Sequence, residues 1–111
     1  MSSEQGYQGW TNYETWCVNL WLSNEEPSQR YWAEMAQAAW DASEPSAYLT
    51  REQEAVRALA DTMKDELEEA APELTGLYAD LLTTALGAVD WVEIATAWME
   101  DIDKAAPPEA P

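Results

Sequence analysis

TREQEAVRALADTMKDELEEA, residues 50–70, has one regular structure open to it. Thr50 and Gln53 stand at the spacing of a capping box, in which each side chain satisfies an amide that the first helical turn leaves without a partner. Val56, Leu59, Ala60, Met63 and Leu67 then recur at three- and four-residue steps, the period of a helix with one apolar face. No glycine or proline interrupts the run, and Pro72 closes it, because proline keeps its predecessor out of helical angles. The spacing predicts a helix over 51–70. A helix with a single apolar stripe is stable only when that stripe is covered, so the rest of the chain must supply partners.

The flanking sequence repeats the pattern. Thr11 to Glu14, T-N-Y-E, reads as a second capping box, and Tyr13, Trp16, Cys17, Leu20 and Trp21 read as the buried stripe of a helix over about 12–22. Ser23 and Asn24 are caps for another helix with Pro27 in its first turn, where a missing amide costs nothing. Its stripe is Tyr31, Trp32, Met35, Ala36, Ala39 and Trp40, and Ser43-Glu44-Pro45-Ser46 breaks it near 42. Beyond Pro72 the period is clearest: Leu74, Leu77, Tyr78, Leu81, Leu82, Ala85, Leu86 and Val89, with Gly87 expected as a left-handed terminator. Asp90 to Glu93, D-W-V-E, starts a last helix whose stripe is Trp91, Ile94, Ala95, Trp98 and Ile102. No segment alternates like a strand. The expected fold is all-α, a compact bundle of four to five amphipathic helices. It forms a single domain over 10–103, between a flexible N-terminus, 1–9, and a flexible tail, 104–111.

Charge narrows the function. The 111 residues carry 22 acids, 5 bases and no histidine, a formal charge of −17, yet 47% of them are apolar. That balance suits a folded domain, not a disordered acidic tail. It repels nucleic acid and anionic membrane surfaces and attracts basic proteins. A charge of this size also exceeds the magnitude of about 2–8 that solubility asks of a small domain. Adaptation to high salt is the competing explanation. Without histidine there is no Ser-His-Asp or Cys-His system. Cys17 is the only cysteine and can form no internal disulfide. No glycine-rich phosphate loop occurs, and Glu100, Asp101 and Asp103 lack the pattern of a calcium loop. No catalytic residue, cofactor or metal site is therefore expected, and the chain reads as a non-enzyme. The opening residues, MSSEQGYQG, have neither the basic nor the apolar region of a signal peptide. No apolar run approaches the ~20 residues that span a bilayer, so a cytoplasmic location is expected.

Two features are candidate binding surfaces. Glu54, Asp61, Asp65 and Glu68 share one helical face, flanked by Glu69, and could imitate nucleic-acid phosphates for a basic cleft. The plainer reading is the solvated face of an acidic protein. The second is aromatic: Trp10, Tyr13, Trp16 and Trp21 crowd twelve residues of a chain with seven Trp and no Phe. Trp10 and Tyr13 are the candidates for partner binding, since Trp and Tyr dominate interface hot spots. Trp16 and Trp21 are expected in the core.

Gly9-Trp10-Thr11-Asn12-Tyr13-Glu14-Thr15-Trp16, followed by Val18-Asn19-Leu20-Trp21-Leu22 and Asn24-Glu25, resembles a family of small phage- and plasmid-encoded proteins with an N-terminal GWTNYETW signature. The stretches Leu77–Leu82 and Asp90–Ala95 resemble the family's C-terminal half. The resemblance brings no established activity. It implies a mobile-element setting inside a host cell, in which small acidic proteins disarm nucleic-acid-binding defences. The resulting expectation is a protein-binding inhibitor of the anti-restriction or anti-CRISPR kind. Its partner would be the basic surface of a host nucleic-acid-binding protein, with no direct contact to nucleic acid and none to membrane. The alternative is a structural or adaptor protein that binds through the Trp-rich N-terminal surface. A homodimer is compatible with either.

Overall fold

The structure, a computed structural model, describes residues 6–104. Five helices follow in chain order: α1 Tyr13–Asn24, α2 Glu26–Ala42, α3 Arg51–Ala70, α4 Gly76–Gly87 and α5 Trp91–Met99. Among the described residues there is no strand, only an isolated antiparallel pairing of Tyr7 with Trp10. The all-α reading holds, and no helix is long and apolar enough to cross a membrane. Residues 1–5 and 105–111, which hold most of the two segments expected to be flexible, lie outside the described residues.

α3 is the centre of the bundle. Thr50 caps it as the sequence implies: its hydroxyl accepts from the Gln53 amide at 3.1 Å and Gln53 Oε1 accepts from the Thr50 amide at 2.8 Å. Ala55, Val56, Leu59, Ala60 and Met63 are buried along its inner face, against α5 on one side and α2 on the other. Trp91, Ile94, Ala95 and Met99 of α5 and Trp32 and Ala36 of α2 complete this core. Each fully buried side chain of this size contributes about 1.5–3 kcal/mol of transfer free energy. The C-terminal carbonyl groups of α2 lie near no base of their own helix. Arg51 serves instead: its guanidinium donates twice to the Trp40 carbonyl, at 3.2 and 2.9 Å, and lies 4.1 Å from the Trp40 ring centroid.

α1 departs from the sequence reading. Its cap is Asn12, not Thr11: Asn12 Oδ1 accepts from the Thr15 amide at 2.9 Å. The Thr11 amide is taken by Glu93 Oε1, 3.1 Å away on α5, and not by Glu14. The buried residues of α1 are Thr15 and Leu22, with Val18 packed beside them. Tyr13, Leu20 and Trp21 face outward, and Trp21 is 63% exposed. The aromatic stripe is therefore the outer side. The cause is polar: Thr15 and Asn19 are drawn inward by hydrogen-bonding partners on the 88–98 segment, and that rotation turns the aromatics out.

Two further terminations differ. α2 is capped at Glu25 with no side-chain bond, while Ser23 turns back to the Asn19 carbonyl at 2.8 Å, so α1 and α2 are separated by Glu25 alone. Gly87 is the last residue of α4, and Ala88 after it is right-handed; the left-handed glycines are Gly9 and Gly76. The largest departure is α4 itself. It contains no buried residue, and it is absent from the packed helix pairs, which join α1, α2, α3 and α5.

Candidate protein-binding surfaces

The N-terminal signature builds a polar latch before it builds anything else. Asn12 uses its carbonyl oxygen to cap α1 and its Nδ2 to donate to the Ala88 carbonyl at 2.8 Å. Thr15 is wholly buried, and its hydroxyl accepts from the Asp90 amide at 2.9 Å. Asp90 Oδ1 in turn accepts from the Glu93 amide at 3.0 Å, capping α5. Asn19 Oδ1 accepts from Trp98 Nε1 at 2.7 Å. Thr11, Asn12, Thr15 and Asn19 thus fasten α1 to the α4–α5 joint. The N-terminal segment and residues 88–98 meet across this seam, which gives these polar side chains a structural role.

The aromatic letters are placed differently. Gly9, at φ 88°, and Gln8, at φ 52°, turn the chain so that the amides and carbonyls of Tyr7 and Trp10 pair at 2.7 and 2.8 Å. Trp10 is half-buried and packs on the core. Tyr13 is exposed. With Tyr7 and Trp16 it forms a surface cluster with centroid separations of 5.1, 4.9 and 5.4 Å, two of the three contacts edge-on. The Cys17 thiol beside Tyr13 raises the phenol's pKa above its ordinary value, chiefly by charge and hydrogen bonding, with small contributions from desolvation, Tyr7 and Glu14. Tyr13 is therefore a neutral hydrogen-bonding group at physiological pH.

The carboxylate row of α3 is on the surface as its spacing implies. Asp61, Asp65, Glu68 and Glu69 are exposed, and Glu54 is half-buried. At 1.5 Å of rise per residue the row from Glu54 to Glu68 runs about 21 Å. Its charge density is lower than the four acids suggest, because Lys64 Nζ lies 3.2 Å from Glu68. The other cations are also engaged within the molecule: Arg30 with Glu26 at 3.0 Å, Lys104 with Glu52 at 3.3 Å, and Arg51 on the Trp40 carbonyl. Arg57, exposed on α3, is the remaining base. Pairs this exposed contribute at most about 1 kcal/mol to stability. They hold those cations beside other carboxylates, and among the described residues Asp61, Asp65 and Glu69 make no ion pair.

Among the described residues no three Cys, Asp or Glu side chains gather as a metal site. The open groove beside Trp10, about 550 Å³, is lined by Gly9, Trp10, Glu93, Thr96, Ala97 and Glu100 and holds no cation to balance its two carboxyl groups. Sequence reasoning missed the outward Trp21 and the bare face of α4. The second was detectable: the α4 stripe covers half of the helix circumference, wider than one packing partner can cover.

The profile of a family of unknown function, DUF7249, matches residues 3–105. The chain belongs to that family. The match runs through the latch, the acidic row and α4 alike, so all three lie within what the family shares as a domain. No curated protein and no solved structure matches the chain.

Proposed function

We propose that the protein is a non-enzymatic, acidic protein-binding inhibitor. It occupies the basic surface of a host nucleic-acid-binding protein in the manner of a nucleic-acid mimic, in a phage or plasmid defence-evasion setting. The observation that carries this reading is the internal use of the cations: four of five bases are held by the chain's own groups. The net charge is −17 whichever groups pair, and with these cations held elsewhere Asp61, Asp65 and Glu69 of the α3 row make no ion pair among the described residues. Association is steered by the field of that charge and acts over the ~8–10 Å screening length of physiological salt.

The test is binding to basic nucleic-acid-binding proteins of its host, read with a labelled nucleic acid in competition. Asp61→Asn, Asp65→Asn, Glu68→Gln and Glu69→Gln together remove charges that each contribute roughly 0.2–1 kcal/mol, so affinity falls at least about fourfold. Binding that leaves the partner's nucleic-acid affinity intact sinks the mimic reading.

The Tyr7–Tyr13–Trp16 surface cluster favours a second reading, an adaptor that captures its partner through these aromatics. Tyr13→Ala then abolishes capture and the four neutral substitutions on α3 leave it unchanged. The mimic gives the opposite pattern.

A further inference from the structure

We propose that α4 is a self-association face and that its occupant is α4 of a second copy of this chain. The proposal stands on α4 alone and does not depend on the acidic-row reading.

α4 holds its shape on little local support. It has 12 residues, no side-chain cap at Thr75, and a left-handed glycine, Gly76 at φ 63°, as its first residue. Helices this short are marginal in water unless a face is packed. The molecule packs only part of it: Leu86, near its end, touches the core cluster. Leu77, Tyr78 and Leu81 lie on the opposite side, within about 100° of arc, with Leu74 in the segment just before the helix, and the four keep 42–67% of their surface in water. At roughly 150–250 Å² for a large side chain, they leave on the order of 400 Å² of contiguous apolar surface. That is the size of the largest apolar patch on a typical monomer, and such patches are often functional.

Charge selects the occupant. Asp80 is the only charged residue between Leu74 and Val89, in a chain where 27 of 111 residues are charged. Asp80 also lies off the bare arc, toward Thr83. A groove built for a basic amphipathic helix would be rimmed with several carboxylates; here the side chains flanking the arc are Thr84 and Leu82, and Asp80 is the single carboxylate of the helix. It is the stretch on which two copies of a −17 chain approach with least repulsion. Residues 1–5 and 105–111 offer Met1 and otherwise only small or polar side chains and proline, so their sequence supplies no apolar stripe to match it. Two such faces in mutual contact bury on the order of 800 Å² in total, below the size of a standard stable interface, so the dimer is a weak, reversible one. Salt strengthens it, because screening removes repulsion between the two copies.

Sedimentation equilibrium of the full chain at ~0.05 and ~0.5 M NaCl tests this. The expected result is a monomer–dimer equilibrium that tightens at least severalfold at the higher salt. Leu77→Gln with Leu81→Gln makes it monomeric at every concentration. These residues are 65% and 56% exposed, and unchanged thermal unfolding of the variant monomer shows the fold intact. Trp21→Gln, on the exposed side of α1, leaves the equilibrium as it was. A chain that stays monomeric to several hundred micromolar at both salts overturns the proposal. So does a dimer that survives the α4 substitutions. Monomer that binds an 18-residue Leu/Lys amphipathic peptide through Leu77 and Leu81 also overturns it, assigning the face to a heterologous helix.

Discussion

The side chains with the most consequence here are small polar ones. Thr15 is wholly buried, and its one hydroxyl satisfies the Asp90 amide at the start of α5. Thr15→Val keeps the shape and removes the acceptor, so a buried amide loses its partner. The expected cost is about 1–3 kcal/mol, read as a lower urea midpoint with an unchanged slope; Thr15→Ser recovers most of it. Asn12 performs two tasks that substitution separates. Asn12→Asp keeps the acceptor for the Thr15 amide and removes the donor to Ala88, while Asn12→Ala removes both. The alanine variant loses about 0.5–2 kcal/mol more than the aspartate variant, the range measured for helix caps. Equal losses would mean that the cap contributes nothing. Tyr31 gives a pH signature. Its phenol donates to both oxygens of Glu66, at 2.8 and 2.9 Å, and this bond, then desolvation and the carboxylate's charge, raise its pKa. A raised folded value means the contribution is fully present below the unfolded value of about 10 and is lost as pH climbs through the folded one. An absorbance titration should therefore show Tyr31 ionising late together with Tyr13, and Tyr31→Phe should remove one of the two late steps.

At the scale of the helix, what was legible in the sequence and what was not divide by the kind of force involved. The boundaries of α3 were legible because a capping box and a proline are local signals, and its inner face because apolar period is a one-body property. The acidic row on α3 was legible for the same reason. The inner face of α1 was not: five aromatic and apolar residues outweigh Thr15 and Asn19 in any periodicity count. The orientation is set by bonds to Ala88, Asp90 and Trp98, some 75 residues away or more. α4 fails differently. Its period is real, but period reports that a face is apolar and not what covers it. Because α4 makes few contacts with the body, it opens at low free energy. Hydrogen exchange should show α4 amides exchanging well ahead of those at Leu59 and Met63 in α3. Gly76→Ala sharpens this: a Cβ there meets nothing within 4 Å, yet φ 63° is costly for a side chain. The substitution should disfavour α4 by about 1 kcal/mol, speeding its exchange roughly fivefold while α3 is unaffected. Exchange of α4 as slow as that of α3 would show that the helix is covered in solution, which dilution below the dimer range would then relieve.

For the molecule as a whole, the surplus of carboxylates sets a sign that each explanation of it must obey. The body measures 54 × 37 × 31 Å. The screening length falls from about 30 Å at 0.01 M salt to about 3 Å at 1 M, so at low salt every carboxylate repels nearly every other, and at high salt only its neighbours. Folding concentrates that charge, so thermal stability of the monomeric α4 variant should rise with NaCl across this range, by several degrees. The two accounts of the acidity separate at the low end. A mimic must be folded at low and physiological salt, where its field is longest-ranged, and its partner affinity must fall as salt rises. A chain shaped by high salt needs screening in order to fold. Circular dichroism at 0.01 M NaCl in a range the structure itself should satisfy therefore decides between them. A helical spectrum there, with partner binding that weakens on adding salt while self-association strengthens, gives opposite signs to the two interactions. One electrostatic field then accounts for both, acting against a like-charged copy and in favour of a basic partner. Loss of helix at low salt removes the reason to read the α3 row as a binding surface and leaves it a solvated face.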